Sequence, residues 1–250
     1  MILYYSSTGN SYHVAREIHK RYPGRAIDMA KPEGKEPYVL ADDEILFIVT
    51  FNCFWGVTEL VRDFFKLNQF SNVKKIVAII TCGGHLGSGD YFLNRILRAN
   101  NLPQAKVYDL VMVTNYVVLH EVPEPSVQKQ LLATAENRLH QILSANAKPY
   151  RSSLLTRLVG TIVHALYSVF RCTKPFTVSE ACVACGKCAR DCPVQAIELF
   201  QGHPVWQKRK CDHCLKCLHN CPVAAINYGR LTLGKKRYKY PKSDGPLLFD

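Results

Sequence analysis

At 250 residues the chain exceeds one ordinary domain, since length divided by ~150 gives a prior of about two. With 48% hydrophobic and 21% charged residues it has a globular composition, which excludes wholesale disorder. The net charge of +12 suits nucleic acid, a membrane surface or an acidic protein partner, and it overstates the true charge if some of the 11 Cys are metal-bound thiolates.

The opening "MILYYSSTG" has no basic region, long apolar core or cleavage site, so a signal peptide is not expected and a cytoplasmic location is. Thiols are kept reduced there, which turns the many Cys toward metal or redox chemistry and away from a disulfide framework.

In chain order, candidate strands cover 1–5, 25–29, 44–50, 75–81 and 106–113. The third and fourth, "EILFIVT" and "KIVAIIT", are nearly continuous apolar runs, the pattern of parallel strands buried on both faces. Helical stripes fall between them: Val14, Ala15 and Ile18; Val57, Leu60, Val61, Phe64 and Phe65; Phe92, Leu93, Ile96 and Leu97; then Leu131, Leu132, Ala135, Leu139 and Ile142 within 126–143. The alternation predicts an α/β, doubly wound, five-stranded parallel sheet over residues 1–148.

A connector follows at 149–175, and its stretch 153–170 is expected to be an amphipathic helix. Leu154, Leu155, Leu158, Val159, Ile162, Val163, Leu166 and Phe170 form an apolar face expected to pack between domains, with Arg157, Thr161, His164 and Ser168 opposite. The stretch is at the short limit for a span and contains an Arg, so no transmembrane segment is expected.

Residues 176–229 hold a repeat. "CVACGKCARDCPVQAI" from Cys182 recurs as "CDHCLKCLHNCPVAAI" from Cys211, an offset of 29 that relates two copies of one small unit. The spacing CxxCxxCxxxCP is that of two-cluster [4Fe-4S] ferredoxins, a small α+β fold. Zinc prefers separated CxxC pairs and is disfavoured. Metal is expected to supply much of the folding energy of so small a domain. Residues 230–250 form a basic tail, expected to dock an acidic redox partner, to fold across the first domain or to stay solvated; without a recognition fold, nucleic acid is not expected.

"SSTGNS" at 6–11 ends the first strand, where a doubly wound sheet binds its ligand and a helix start attracts phosphate. It is neither a Walker loop nor GxGxxG. Cys53 and Cys82 follow the third and fourth strands and are expected to be small residues at crowded strand ends, with a redox pair as the less favoured reading; Cys172 has no motif around it. His85 is expected in an exposed loop.

The Cys repeats resemble the bacterial dicluster ferredoxins, which implies one cluster on Cys182, Cys185, Cys188 and Cys221 and the other on Cys211, Cys214, Cys217 and Cys192. The first loop resembles the FMN phosphate loop of flavodoxins, implicating Ser6, Ser7, Thr8, Gly9, Asn10 and Ser11. The same resemblance places Phe54 or Trp55 against the flavin ring and the Gly83 and Gly84 backbone at its edge. The chain departs from ordinary flavodoxins in its Gly-rich second ring loop.

As a whole the chain resembles the flavodoxin and ferredoxin fusion proteins of anaerobic bacteria and archaea, grouped as EFR1-type ferredoxins. The resemblance implies FMN, two [4Fe-4S] clusters and electron transfer between them and a redox protein partner, an oxidoreductase-type carrier with no catalytic residue assigned; a homo-oligomer is compatible with it. Two alternatives stand beside it: a reductase acting on a small substrate over the flavin, and a flavin-free ferredoxin with a degenerate docking domain.

Overall fold

The computed structural model describes residues 1–32, 34 and 36–241. Its first part runs β1 (Ile2–Tyr4), α1 (Asn10–Arg21), β2 (Ala26–Asp28), β3 (Tyr38–Val39), β4 (Ile45–Phe51), α2 (Glu59–Leu67), β5 (Phe70–Ser71), β6 (Lys75–Cys82), α3 (Gly89–Ala99), β7 (Lys106–Val111) and α4 (Pro125–Leu143). After α5 (Leu154–Phe170) come β8 (Phe176–Val178), α6 (Lys187–Arg190), β9 (Ile197–Phe200), β10 (His203–Trp206), α7 (Lys216–Asn220), β11 (Ile226–Tyr228) and a 3-10 turn, Gly229–Thr232.

The five apolar runs pair into one parallel sheet in the order β2-β1-β4-β6-β7, with Ile2 opposite Ala26 and Phe47, Ile45 opposite Lys75 and Val77 opposite Lys106. Counted within the sheet, the order is 2-1-3-4-5, that of the flavodoxin-like doubly wound fold. Alternate side chains feed two cores. Leu3, Leu46 and Ile48 meet Phe64, Phe65 and Leu93 on one face, whereas Ile2, Phe47 and Val49 meet Ile18 and Leu139 on the other. The ribbon of β3 on β5, Tyr38 opposite Phe70, escaped sequence analysis because two-residue strands carry no period.

In the C-terminal part β8 pairs antiparallel with β11, and β9 with β10. The repeat survives in the backbone. Ala184 and His213, Gly186 and Leu215, and Gln195 and Ala224 occupy matched left-handed positions in the two copies. This conformation comes easily to Gly186 but is uncommon for Leu215.

α5 departs from the expected packing, with most of its apolar face turned outward. Its buried positions are Gly160 and Tyr167, with Arg157, Val163 and His164 half-buried beside them, while Leu154, Leu155, Leu158 and Ile162 are exposed. The physical reason is polar: the inward side finds hydrogen-bond partners. Ser88 Oγ donates to Thr156 O at 2.7 Å, His164 Nδ1 lies 3.3 Å from both Cys53 O and Phe54 O, and Tyr167 Oη donates to Asp212 O at 2.8 Å.

Gly160 is where the helix comes closest, since a Cβ there would collide with Ser88 Oγ. Alanine is favoured over glycine in a helix interior by about 1 kcal/mol. Gly160→Ala is nevertheless expected to lower the melting temperature, and Ser88→Gly in the same chain to restore part of the loss; calorimetry of the single and double variants checks both.

The basic tail folds across the first domain, one of the arrangements expected for it. Tyr240 N donates to Thr8 O at 2.7 Å, its ring stacks on His13 at 4.3 Å, and Tyr238 Oη donates to Asn10 Oδ1 at 2.8 Å. Lys235 and Lys236 pair with Glu121 and Glu124, which neutralises part of the basic run. Residues 242–250 of the tail lie outside the described residues.

Candidate functional site

The C-terminal ends of β1, β4, β6 and β7 open onto a cavity of about 420 Å³. The SSTGNS loop forms one wall, with Ser6, Ser7, Thr8, Asn10 and Ser11 lining it. Gly9 reaches φ 101° as the residue before α1, a left-handed conformation that glycine adopts freely. No side chain caps α1, which leaves first-turn N–H groups without intrahelical acceptors, the arrangement that receives an anion.

Asn115 sets the hydroxyls. Its Nδ2 donates to Ser7 Oγ and Thr8 Oγ1, both at 2.9 Å, so each hydroxyl keeps its own proton to donate elsewhere. Asn10, by contrast, is held by protein groups: its Nδ2 donates to Val113 O at 3.0 Å and its Oδ1 accepts from Tyr238. Ser11 Oγ meets Thr81 Oγ1 at 3.2 Å.

The two loops expected to flank a ring do line the same cavity. Phe54, Trp55, Gly83 and Gly84 all border it, as do Cys53, Cys82 and the exposed His85. Phe54 and Trp55 hold φ 48° and 59°, sparsely populated values for bulky residues that cluster at ligand sites. Trp55 packs against Gly87, while Phe54 meets Tyr116 edge-on at 5.5 Å. Burial pushes the Cys82 thiol up to about 12 and Cys53 well above the usual range, so both are neutral.

Sequence analysis missed the remaining wall. Asn115, Tyr116, Leu119 and His120 come from the loop after β7, Val163 from α5, and His213 and Cys214 from the second Cys repeat. Burial pulls His213 down to about 4, so its ring is neutral. Tyr116 Oη lies 2.9 Å from His213 Nδ1. With the phenol as donor, the ring proton sits on Nε2.

The eight motif Cys fall into two groups. Cys182, Cys185, Cys188 and Cys221 line one small cavity beside Gly186 and Pro222. Cys192 stands near Cys211, Cys214 and Cys217, close enough to oppose their ionisation alongside the dominant effect of burial. Burial pushes Cys211 up to about 12 and Cys214 up to about 11, so loading of metal on these thiols releases protons. Backbone N–H groups of Ala196, Ala225 and His213 donate to Cys192, Cys221 and Cys211 Sγ at 3.2 to 3.3 Å, contacts of the kind that tune cluster potential. Among the described residues no group of three or more His, Cys, Asp or Glu is drawn together as a single-ion site is.

Asp212 joins the parts. It is 2% exposed, and its Oδ1 accepts from Leu60 N in the first turn of α2 at 3.2 Å and from Tyr167 Oη at 3.1 Å. Burial raises its carboxyl above the ordinary range, while the hydrogen bonds from Leu60 N and Tyr167 Oη and the nearby Tyr5 and Thr58 hydroxyls act the other way. The repeat held a signal for it. At the matching place in the first copy stands Val183, 60% exposed, so the outward copy keeps an apolar residue where the inward copy has an acid.

His164 gives the site a pH dependence. Burial lowers its pKa, an effect larger than the opposing contacts with Phe54 and Cys53 carbonyls and the Glu59 charge. Its contribution to stability is complete above the unfolded value of about 6.5 and is lost as pH falls toward the folded value. Thermal melts between neutral and mildly acidic pH are expected to show a smaller decline in His164→Gln than in the parent chain.

Residues 181–226 match the family described as 4Fe-4S dicluster domain. Among curated proteins none matches this chain. Two solved structures are similar in part: a Bacteroides uniformis protein described as a flavoprotein, and the rubredoxin oxygen:oxidoreductase of the anaerobe Desulfovibrio gigas. The first is 14% identical with a TM-score of 0.35, covering 53% of this chain and 96% of its own. The second is 13% identical with a TM-score of 0.29, covering 58% of this chain and 36% of its own. At these scores the fold rests on the strand order itself. The chain carries an iron-sulfur dicluster domain behind a flavodoxin-like α/β domain.

Proposed function

We propose that the chain is an electron-transfer protein that binds FMN in the 420 Å³ cavity and two [4Fe-4S] clusters on its eight motif Cys. One observation carries the reading. The SSTGNS loop and Cys214 border the same cavity, so a phosphate-type loop and a cluster-type thiol share one enclosure.

The residues fit both groups. For the flavin, the cavity offers free hydroxyl protons on Ser7 and Thr8, an uncapped helix start and aromatic walls. It also offers two buried polar atoms with no protein partner, Asn52 Oδ1 and His213 Nε2, which suit the acceptor and donor edges of an isoalloxazine ring. For the clusters, four thiols line the outer cavity and Cys192 gathers with Cys211, Cys214 and Cys217, the soft donor set that iron-sulfur cubanes take. A bound flavin supplies two-electron storage that is released in single steps, and cubanes carry one electron each.

The chain's own residues then position these groups. Cys182, Cys185, Cys188 and Cys221 would hold the outer cluster, and Cys192, Cys211, Cys214 and Cys217 the inner one. Phe54 and Tyr116 line the cavity together with His213 and Cys214, and Tyr167 packs on Phe54 with ring centres 5.8 Å apart, an aromatic wall beside the second Cys motif. His213, neutral, holds a proton near the cavity without adding charge.

Anaerobic purification followed by iron, sulfide and FMN assays tests the reading. Iron for two four-iron clusters together with one FMN is the expected result; a full iron complement with no FMN uptake on titration would overturn it.

A further inference from the structure

α5 presents its apolar side to solvent. Leu154, Leu155, Leu158, Ile162, Leu166 and Val169 are 46 to 78% exposed. The opposite side is fixed: Gly160 against Ser88, Thr156 O accepting from Ser88, His164 at the Cys53 and Phe54 carbonyls, and Tyr167 on Asp212. Turning the leucines inward would break all of these contacts, so the patch is a stable surface of the folded chain. Contiguous apolar patches of this kind mark interaction sites.

The charges along its flanks are mostly basic. α5 contains no acidic residue. Exposed Arg151 precedes it, and exposed Arg95 stacks at 5.6 Å over Tyr91, whose ring also meets Arg157 of α5 at 5.5 Å. Beyond its end lie exposed Lys174 and the run Lys208, Arg209 and Lys210, tied alongside by Thr173 N donating to Arg209 O at 3.0 Å and by the Cys172–Lys210 bridge. The nearby acids are occupied, Glu59 by Arg62 and Arg171, and Asp63 by Arg62.

An apolar strip with a cationic rim is complementary to an anionic lipid interface, where leucines enter the acyl boundary and Lys and Arg meet headgroups. A second copy of the chain is a poorer occupant, because it would bring two cationic rims together. Among the described residues no helix is long and apolar enough to cross a membrane, so the geometry is that of a helix lying in the surface plane.

We propose that α5 seats the protein on an anionic phospholipid bilayer. Val163 of the same helix lines the cavity, so seating brings the cavity close to the lipid surface.

The test is co-sedimentation of the purified holoprotein with vesicles of phosphatidylcholine alone or mixed with phosphatidylglycerol. Binding to the mixed vesicles is expected to exceed binding to the neutral ones by at least about tenfold and to weaken with added salt. The double variant Leu158→Glu, Ile162→Glu changes only exposed positions and is expected to lose vesicle binding while keeping its iron content and circular dichroism. Lys208→Ser, Arg209→Ser, Lys210→Ser is expected to weaken binding to mixed vesicles selectively. No binding to the mixed vesicles, or equal binding by the double variant, would overturn the proposal. So would a parent dimer in sedimentation velocity that the double variant dissolves, since a second copy would then cover the strip.

Discussion

Cys214→Ala is expected to weaken FMN binding by at least about tenfold, equivalent to about 1.4 kcal/mol, in addition to lowering iron content. Cys185→Ala is expected to lower iron content similarly while leaving FMN affinity within about twofold. The asymmetry follows from the walls of the cavity. His213 and Cys214 border it directly, whereas none of Cys182, Cys185 or Cys188 does. Metal binding orders the loop that carries it, so a chain lacking the inner cluster loses the order of one cavity wall. Anaerobic FMN fluorescence titrations of the two variants decide the matter. Equal losses in both would show that the flavin senses the clusters only through general stability.

Asp212→Ala is expected to cost about 2–3 kcal/mol, because it removes the acceptor of a buried N–H at the start of α2 and one acceptor of the Tyr167 hydroxyl. For a chain of this size that corresponds to a fall in melting temperature of roughly 5–10 °C. Tyr167→Phe leaves the Leu60 N–H satisfied and is expected to cost only about 1 kcal/mol. Asp212 lies among the Cys of the inner motif, so its variant is read alongside iron content. Tyr167 is remote in sequence and separates docking from cluster loading. If Asp212→Ala melts no lower than Tyr167→Phe, the carboxylate does not hold the two parts together.

The sheet was legible because its strands are buried on both faces, so "EILFIVT" and "KIVAIIT" need no partner sequence to be recognised. The Cys repeat was legible because spacing alone encodes it. α5 was legible as a helix but not in its orientation. Periodicity separates an apolar side from a polar one, and which side meets protein depends on Ser88, Cys53, Phe54 and Asp212, partners remote in sequence. Asn115 was missed for the same reason, since its role arises only where the loop after β7 reaches Ser7 and Thr8. Asp212 was within reach by subtraction, as the position where two otherwise parallel repeats diverge most in polarity.

The tail that crosses the first domain also orders events during synthesis. A ribosome releases the loop at Ser6–Ser11 well before its partners, since Thr8 O waits for Tyr240 N and Asn10 for Tyr238. Between them lie both Cys motifs, and His219 Nδ1, within the second, accepts from Tyr238 N at 3.1 Å. The nascent flavodoxin-like part can therefore collapse early, but, with the Cys motifs folding on metal as proposed, its first loop would reach final form only after they had taken it up. On the proposed reading, iron supply would thereby check the completion of a loop that contains no iron ligand of its own.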